Sequence, residues 1–449
     1  MNRVRGWLGF GLMVLMLTFN AAWAMRWPED PPLTPSEKTK NLESFDFVWQ
    51  TIRDKHWDAK LGGLNWDQVR DELRPKMEQA QTQAAARSVL QEMIGKLKQS
   101  HFGIMAGDAL ESMEQPKKPD DQKTQTNADS DDGDLGMDFR ILEGKAIVTH
   151  VEKGTPAEVH GVKMGWEIEQ VNDEAIAPLI DRISKSVKSM HGSYVVFRAV
   201  GNRLKGDVGS KVTIVFRPGA EPAVTRTMER IAPRGKKVKF GHLPTIYVRF
   251  EAEKLDSNIV YASLNTFFDP LMVIPKLEKI IKENQDAKGF ILDLRGNPGG
   301  IGYLAVGIGG WFVEEENQRI GTMFTRDGTM HFVLNPRTPC FKGPLAILVD
   351  RESASTSEIL AGGMQDIKRA RIFGTATMGA ALPSVITRLP NGDGFQYAFA
   401  NYISARGQAL EGRGVIPDQE VKLDQATLLK QRDPVLDAAV RWIQEQVKK

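Results

Sequence analysis

Hydrophobic positions change rhythm several times along the chain. From Asn41 to Leu97 the rhythm is helical. Phe45, Val48, Trp49 and Ile52 fall at i, i+3, i+4 and i+7, and Val89, Leu90, Met93, Ile94 and Leu97 repeat the stripe. Asn65-Trp66-Asp67 offers a start for a helix between them. Residues 25–40, rich in proline and charge, read as an extended lead-in. Residues 115–135 are acidic with almost no apolar content and read as a solvated linker. Their aspartates lack the fixed spacing and glycine of a calcium loop.

From Gly136 the pattern becomes strand-like: Met137 to Ile141, Ala146 to Val151, and Lys211 to Phe216. Extra sequence, including Tyr194-Val195-Val196-Phe197, interrupts this region between Ile176 and Lys211. From about Thr245 to Asp418 strands and helices alternate. Ile246 to Phe250, Val260 to Leu264, Phe290 to Leu294 and Leu345 to Val349 read as strands. Val273 to Asn284 and the stretches after Gly300 and Thr356 read as helices. That alternation predicts an α/β domain. An amphipathic helix, Asp433 to Gln446, follows. The predicted organisation is a helical domain over 25–114, the linker 115–135, a β domain over 136–232, an α/β domain over 240–430 and a C-terminal helix over 431–449.

The first residues read as a removable export signal. Arg3 and Arg5 precede an apolar run from Trp7 to Phe19, and Ala22-Trp23-Ala24 is an A-x-A cleavage site. The run is short for a spanning helix, which needs roughly 20 residues. A periplasmic or secreted protein starting near Met25 is expected. The formal net charge is +2 at pH 7, and cleavage would remove two arginines and bring it to zero. No global basic field then argues for nucleic acid. The lone Cys340 cannot form an internal disulfide and is expected as a buried apolar residue. His56, His150, His160, His191, His242 and His331 stand in no metal-ligand spacing, so neither metal nor cofactor is expected.

The candidate chemistry sits in Asp350-Arg351-Glu352-Ser353-Ala354-Ser355-Thr356-Ser357-Glu358, between an apolar strand and a helix start. A serine there faces the free N–H groups and positive end of the helix, as a nucleophile and its oxyanion hole require. Position alone does not choose among Ser353, Ser355 and Ser357. Four other segments accompany it: Arg295-Gly296-Asn297-Pro298-Gly299-Gly300, Gly374 to Gly379, Glu411 to Asp418, and Lys98-Gln99-Ser100-His101-Phe102. Taken in order, the set resembles the S41 peptidases, the family of C-terminal processing (tail-specific) proteases and the tricorn core protease. The resemblance implies a crotonase-like (ClpP-like) α/β core and no cofactor. It makes Ser355 the nucleophile, with Thr356 and the Gly299-Gly300 turn forming the oxyanion hole.

The tail-specific branch uses a lysine base, but Ala380 occupies its position. The tricorn-like branch uses a histidine from the N-terminal part, which Ser100-His101 matches. The expected set is therefore Ser355 as nucleophile, His101 as general base and Glu411 as its orienter, although Glu411 could instead pair with Arg413. Gly154-Thr155-Pro156-Ala157 and Gly161 to Ile168 resemble a PDZ domain, whose carboxylate loop would be Leu135-Gly136-Met137-Asp138-Phe139. Trp166 replaces an expected Asp, and Asp138 would repel a bound carboxylate unless it points away. The expected activity is cleavage of unfolded or C-terminally presented polypeptides by a serine endopeptidase. The PDZ-like domain would bind peptide C-termini and gate or feed the site. The loss of the lysine keeps open an inactive binding protein of the same fold, taking peptides or apolar ligands. Monomer and homo-oligomer remain equally open.

Overall fold

The computed structural model describes residues 31–105, 133–186, 192–239 and 245–448. The expected export signal over 1–24 and residues 115–132 of the expected acidic linker lie outside them.

Helices Pro35–Lys55, Trp66–Gln79 and Gln83–Gly95 form the N-terminal bundle. Each begins at a side-chain cap, from Thr34, Asn65 and Thr82, which satisfies N–H groups that a first turn leaves unpaired. Trp49 and Trp66 each donate an indole N–H to the other's carbonyl at 3.0 Å, locking the first two helices together. The bundle's core is completed by Leu389 and Phe395, which come from a hairpin far along the chain. After the third helix the chain enters the short strand Gly103–Met105. It pairs antiparallel with Gly394–Ala398, which pairs in turn with Ser384–Arg388. The first domain is thus built into the last.

The middle domain is an antiparallel sheet in the order Met137–Leu142, Lys145–Val151, Glu167–Val171, Lys211–Arg217 and Val224–Glu229. The inserted Tyr194 to Phe197 stretch lies in a helix, Gly192–Leu204, which packs on the strand Met137–Leu142 with Phe139 and Phe197 5.0 Å apart. Val196 and Val200, four residues apart, share the buried stripe of this helix. Trp166 is buried and packs against Phe216, an apolar solution at the position where an acid was expected.

The α/β domain contains a six-stranded sheet in the order Phe250–Leu255, Ile259–Leu264, Gly289–Asp293, Leu345–Val349, Ala370–Gly374 and Gln419–Glu420. The first pair is antiparallel and the rest are parallel. Both faces are covered, which is why the central strands read as unbroken apolar runs. Phe290, Leu292 and Ile347 point to a core shared with Leu277, Ile308 and Leu360. Ile291, Ala346 and Leu348 point oppositely, onto the C-terminal helix Pro434–Val447. A second sheet, Thr329–Leu334, Gln318–Thr325 and Ala400–Ser404, closes one flank. Cys340 is half-buried rather than buried, because it lies in the connection before Leu345–Val349 and not on a core-facing element.

Asp393 holds the bundle to the hairpin. It is 1% exposed and takes Arg87 at 2.9 Å and Gln83 at 3.0 Å. Removing one partner of a buried, hydrogen-bonded charge pair typically costs about 3–5 kcal/mol. Asp393→Ala is expected to lose stability on that scale, read as a lowered urea midpoint.

Candidate active site

Ser355 opens the helix Thr356–Asp366 with φ 55° and ψ −114°. A serine seldom adopts such a backbone, and strain of this kind costs on the order of 1–3 kcal/mol unless its surroundings impose it. Here they do. Its N–H reaches Ala380 O and Glu358 Oε2, each at 2.9 Å, and its carbonyl accepts the N–H groups of Glu358 and Ile359. From Glu352 to Met364 Ser355 is the only residue not buried, and its surroundings separate it from its neighbours. Ser353 Oγ donates to Leu294 O at 2.8 Å, and Ser357 Oγ to Asn297 O at 2.9 Å. Both hydroxyls are stapled into the turn, whereas Ser355 lines a cavity of about 2100 Å³.

The turn after Gly289–Asp293 lies against Ser355. Asn297, fully buried, donates to Leu264 O and accepts Gly299 N–H at 2.9 Å. Gly299 has φ +98°, and a Cβ there would stand 2.7 Å from Ser355 Cβ, so only glycine allows the approach. Because its N–H is taken by Asn297, Gly299 supplies close approach rather than a donor. Gly300 and Thr356 line the cavity beside Ser355. The expected oxyanion set of Gly299, Gly300 and Thr356 therefore narrows to the last two.

His101 lines the same cavity. Ser100 stands between it and Glu411: Ser100 Oγ lies 2.7 Å from His101 Nδ1 and 2.8 Å from Glu411 Oε2. Glu411 also accepts the N–H groups of Ser100 at 2.7 Å and Ala381 at 3.1 Å. An ionised carboxylate can only accept, so the Ser100 hydroxyl donates to it and accepts from Nδ1–H. That assigns the histidine tautomer and leaves the lone pair on Nε2. Both Glu411 oxygens are used in this way, not on Arg413.

Glu358 was missed by sequence reading, although Ser355-x-x-Glu358 has capping-box spacing. Its buried carboxylate accepts Ser355 N–H, Ala380 N–H, Gly379 N–H and Thr377 Oγ. Burial pushes its pKa up to about 7 against the pull of those hydrogen bonds. Arg140, from the middle domain, grips the nucleophile turn. Its Nε lies 2.7 Å from Asp350 Oδ2, while Asp350 Oδ1 accepts N–H groups from Gly296, Glu352 and Ser353.

In the expected carboxylate loop, Met137, Asp138 and Phe139 line the cavity, and Gly136 packs against Thr155. Asp138 pairs with Arg234 at 2.9 Å and Arg249 at 3.2 Å. Burial alone would raise its pKa, but the two arginines hold it well below the usual carboxylate range. Its charge is thus spent between domains. Asp293 pairs with Arg295 at 2.6 Å at the end of its strand. Among the described residues no group of side chains could hold a metal ion.

Residues 258–421 match the profile of Peptidase family S41, and residues 38–95 match the Tricorn protease C1 domain. Residues 258–421 thus carry the peptidase domain of family S41. Its class is therefore that of a serine-type peptidase. The chain is 23% identical over 376 residues to carboxyl-terminal-processing peptidase 3, chloroplastic, of Arabidopsis thaliana, covering 83% of this chain and 67% of that one. It is 24% identical over 379 residues to a carboxyl-terminal-processing protease of Picosynechococcus, covering 83% and 81%. Among solved structures, the photosystem II D1 C-terminal processing protease matches with TM-score 0.55 and 22% identity, over 91% of this chain and 97% of that one. Mature CPAF bound to lactacystin matches with TM-score 0.56 and 12% identity, over 92% and 98%. These structural likenesses are of fold. Ala380, at the position where the tail-specific lysine was expected, is buried and accepts Ser355 N–H through its carbonyl.

Glu352, beside Asp350, gives a pH test of this charge cluster. Burial first, then the Asp350 charge, pushes its pKa up to about 7. It therefore holds a proton on folding that the unfolded chain sheds at lower pH. The stabilisation is complete below the ordinary glutamate range and is lost as pH rises towards 7. Glu352→Gln should gain on wild type by roughly 1–3 kcal/mol between pH 5 and pH 8, read by denaturant titration at both.

Proposed function

We propose that this chain is an exported serine endopeptidase that cleaves unfolded or C-terminally presented polypeptides by acyl transfer. Ser355 attacks the scissile carbonyl. His101 takes its proton and passes it to the leaving amine. Glu411, acting through Ser100, holds the imidazole tautomer and stabilises the imidazolium. The N–H groups of Thr356 and Gly300 receive the developing oxyanion. The observation that carries this reading is the Glu411–Ser100–His101 chain ending in the cavity that Ser355 lines. A histidine base suits the absence of a lysine at Ala380, since its unperturbed pKa of about 6.5 lies near working pH.

The middle domain acts as a PDZ-like feeder. Its strand Met137–Leu142 and helix Gly192–Leu204 border the same cavity, and Arg140 joins that strand to the nucleophile turn. With Asp138 neutralised by two arginines, a peptide carboxylate is not repelled there. The leader pattern over residues 1–24 supports export to a periplasm or beyond. Among the described residues no helix is long and apolar enough to cross a membrane.

Hydrolysis of casein by residues 25–449 tests the reading. Ser355→Ala and His101→Ala should be inactive, while Lys368→Ala, which alters the nearest lysine downstream of Ser355, should match wild type. Ser100→Ala should lower kcat by roughly 10–10³-fold with the fold retained, because imidazole orientation rather than the nucleophile is lost. A folded wild type that neither cleaves casein nor reacts with a fluorophosphonate probe would favour a binding protein instead.

A further inference from the structure

We infer that the open edge of the strand Ser384–Arg388 is the main-chain subsite of the enzyme, where an extended polypeptide substrate pairs as an added strand beside Ser355. The inference rests on the serine peptidase reading above and names how the substrate is held.

Ser384–Arg388 is the outer strand of its three-stranded sheet, and among the described residues no strand pairs on its other side. The register matches Ser384 with Ala398 and Ile386 with Gln396. Two hydrogen bonds fix which residues face inward. Phe399 N–H donates to Pro383 O at 3.1 Å, and Leu389 N–H donates to Asp393 O at 2.7 Å. The bonded pairs thus fall at odd positions of this strand. In an antiparallel ladder bonded and non-bonded pairs alternate. Ser384 and Ile386 therefore turn their N–H and C=O groups to the open edge.

That edge faces the candidate active site. Ser384, Val385 and Ile386 all line the cavity that holds Ser355 and His101. Side chains alternate between the faces of a strand, so three consecutive residues meet one cavity only where it borders the edge itself. The chain also ties the edge to the chemistry. Ala380, which accepts Ser355 N–H, and Ala381, which donates to Glu411, lead directly into this strand.

The composition of the edge fits an occupant. Exposed edges are usually blunted by lysine, proline or a bulge. Here Val385, Ile386 and Thr387 form a β-branched run after Ser384 with none of these, and Val385 is 42% exposed. A folded protein has no spare strand to offer, whereas an unfolded segment does. Recognition through the main chain reads extension rather than sequence. Apolar side chains at alternate substrate positions would gain contact with Val385.

The test uses residues 25–449 and casein. Ile386→Pro removes the outward N–H, and proline is tolerated on the open side of an edge strand. Ile386→Ala keeps the N–H and trims the side chain. Expected are a fall of about tenfold or more in kcat/KM for Ile386→Pro, a clearly smaller fall for Ile386→Ala, and fluorophosphonate labelling of both. Normal labelling with wild-type turnover by Ile386→Pro overturns the edge alone, as does an equal loss in Ile386→Ala. Failure of wild type to label overturns the serine reading and the edge with it. A second measurement needs no variant: wild type is given peptides with single amide-to-ester replacements along the chain. Losses that recur at every second position support strand pairing, and losses without that period refute it.

Discussion

The buried carboxylate of Glu358 is the point from which the rest of the site hangs. It gathers donors from two separated segments: Ser355 N–H on its own turn, and Thr377, Gly379 and Ala380 on the following loop. Burial opposes the charge, and the hydrogen bonds compensate only while all are made. Ser355 could not keep a positive φ without this frame. The same loop continues the constraint outward. Val415 N–H donates to Thr377 Oγ and Gly412 N–H to Gly379 O, which fixes the segment carrying Glu411. One carboxylate therefore sets the backbone of the proposed nucleophile and, one step removed, of the acid proposed to orient its base.

Around that centre three parts of the chain converge. His101 arrives from the helical bundle just before the strand Gly103–Met105, which joins a sheet otherwise formed by the hairpin after Ala380. Asp393 ties the bundle to that hairpin. Arg140 comes from the middle domain, and its partner Asp350 also binds the N–H of Gly296, joining the nucleophile turn to the glycine-rich turn. Loosening any of these contacts would move a proposed reacting group, because each pair joins segments far apart in sequence. Buried ion pairs add little net stability over apolar packing, but they penalise wrong docking severely. Such pairs suit a site assembled from three domains.

Much of this was legible in residue order. The apolar runs at Gly289–Asp293 and Leu345–Val349 are strands because both sheet faces are covered. The helical stripes at Phe45 and Val89 pack as their spacing required. The serine cluster lies at a strand-to-helix turn, and Ala380 occupies the lysine position beside it. Other features left no local signal. Tyr194 to Phe197 is β-branched and aromatic, yet packing of Val196 and Val200 on the sheet makes it helical. Asp138 looked repulsive until Arg234 and Arg249, from distant positions, were found beside it.

By itself the sequence determined which residue types were available and where periodicity must place them: a nucleophile candidate at a helix start, glycines where backbone must pass closely, and alanine rather than lysine at position 380. Tertiary structure decided among equals. Ser353 and Ser357 became staples and Ser355 the cavity residue because only three-dimensional packing says where each hydroxyl finds an acceptor. Gly299 lost its donor role to Asn297 for the same reason. Ser100 moved from a neighbour of His101 to the link between it and Glu411, across 311 positions of chain. Periodicity is a short-range property of backbone geometry, whereas hydrogen-bond partners are settled only when distant segments are buried together.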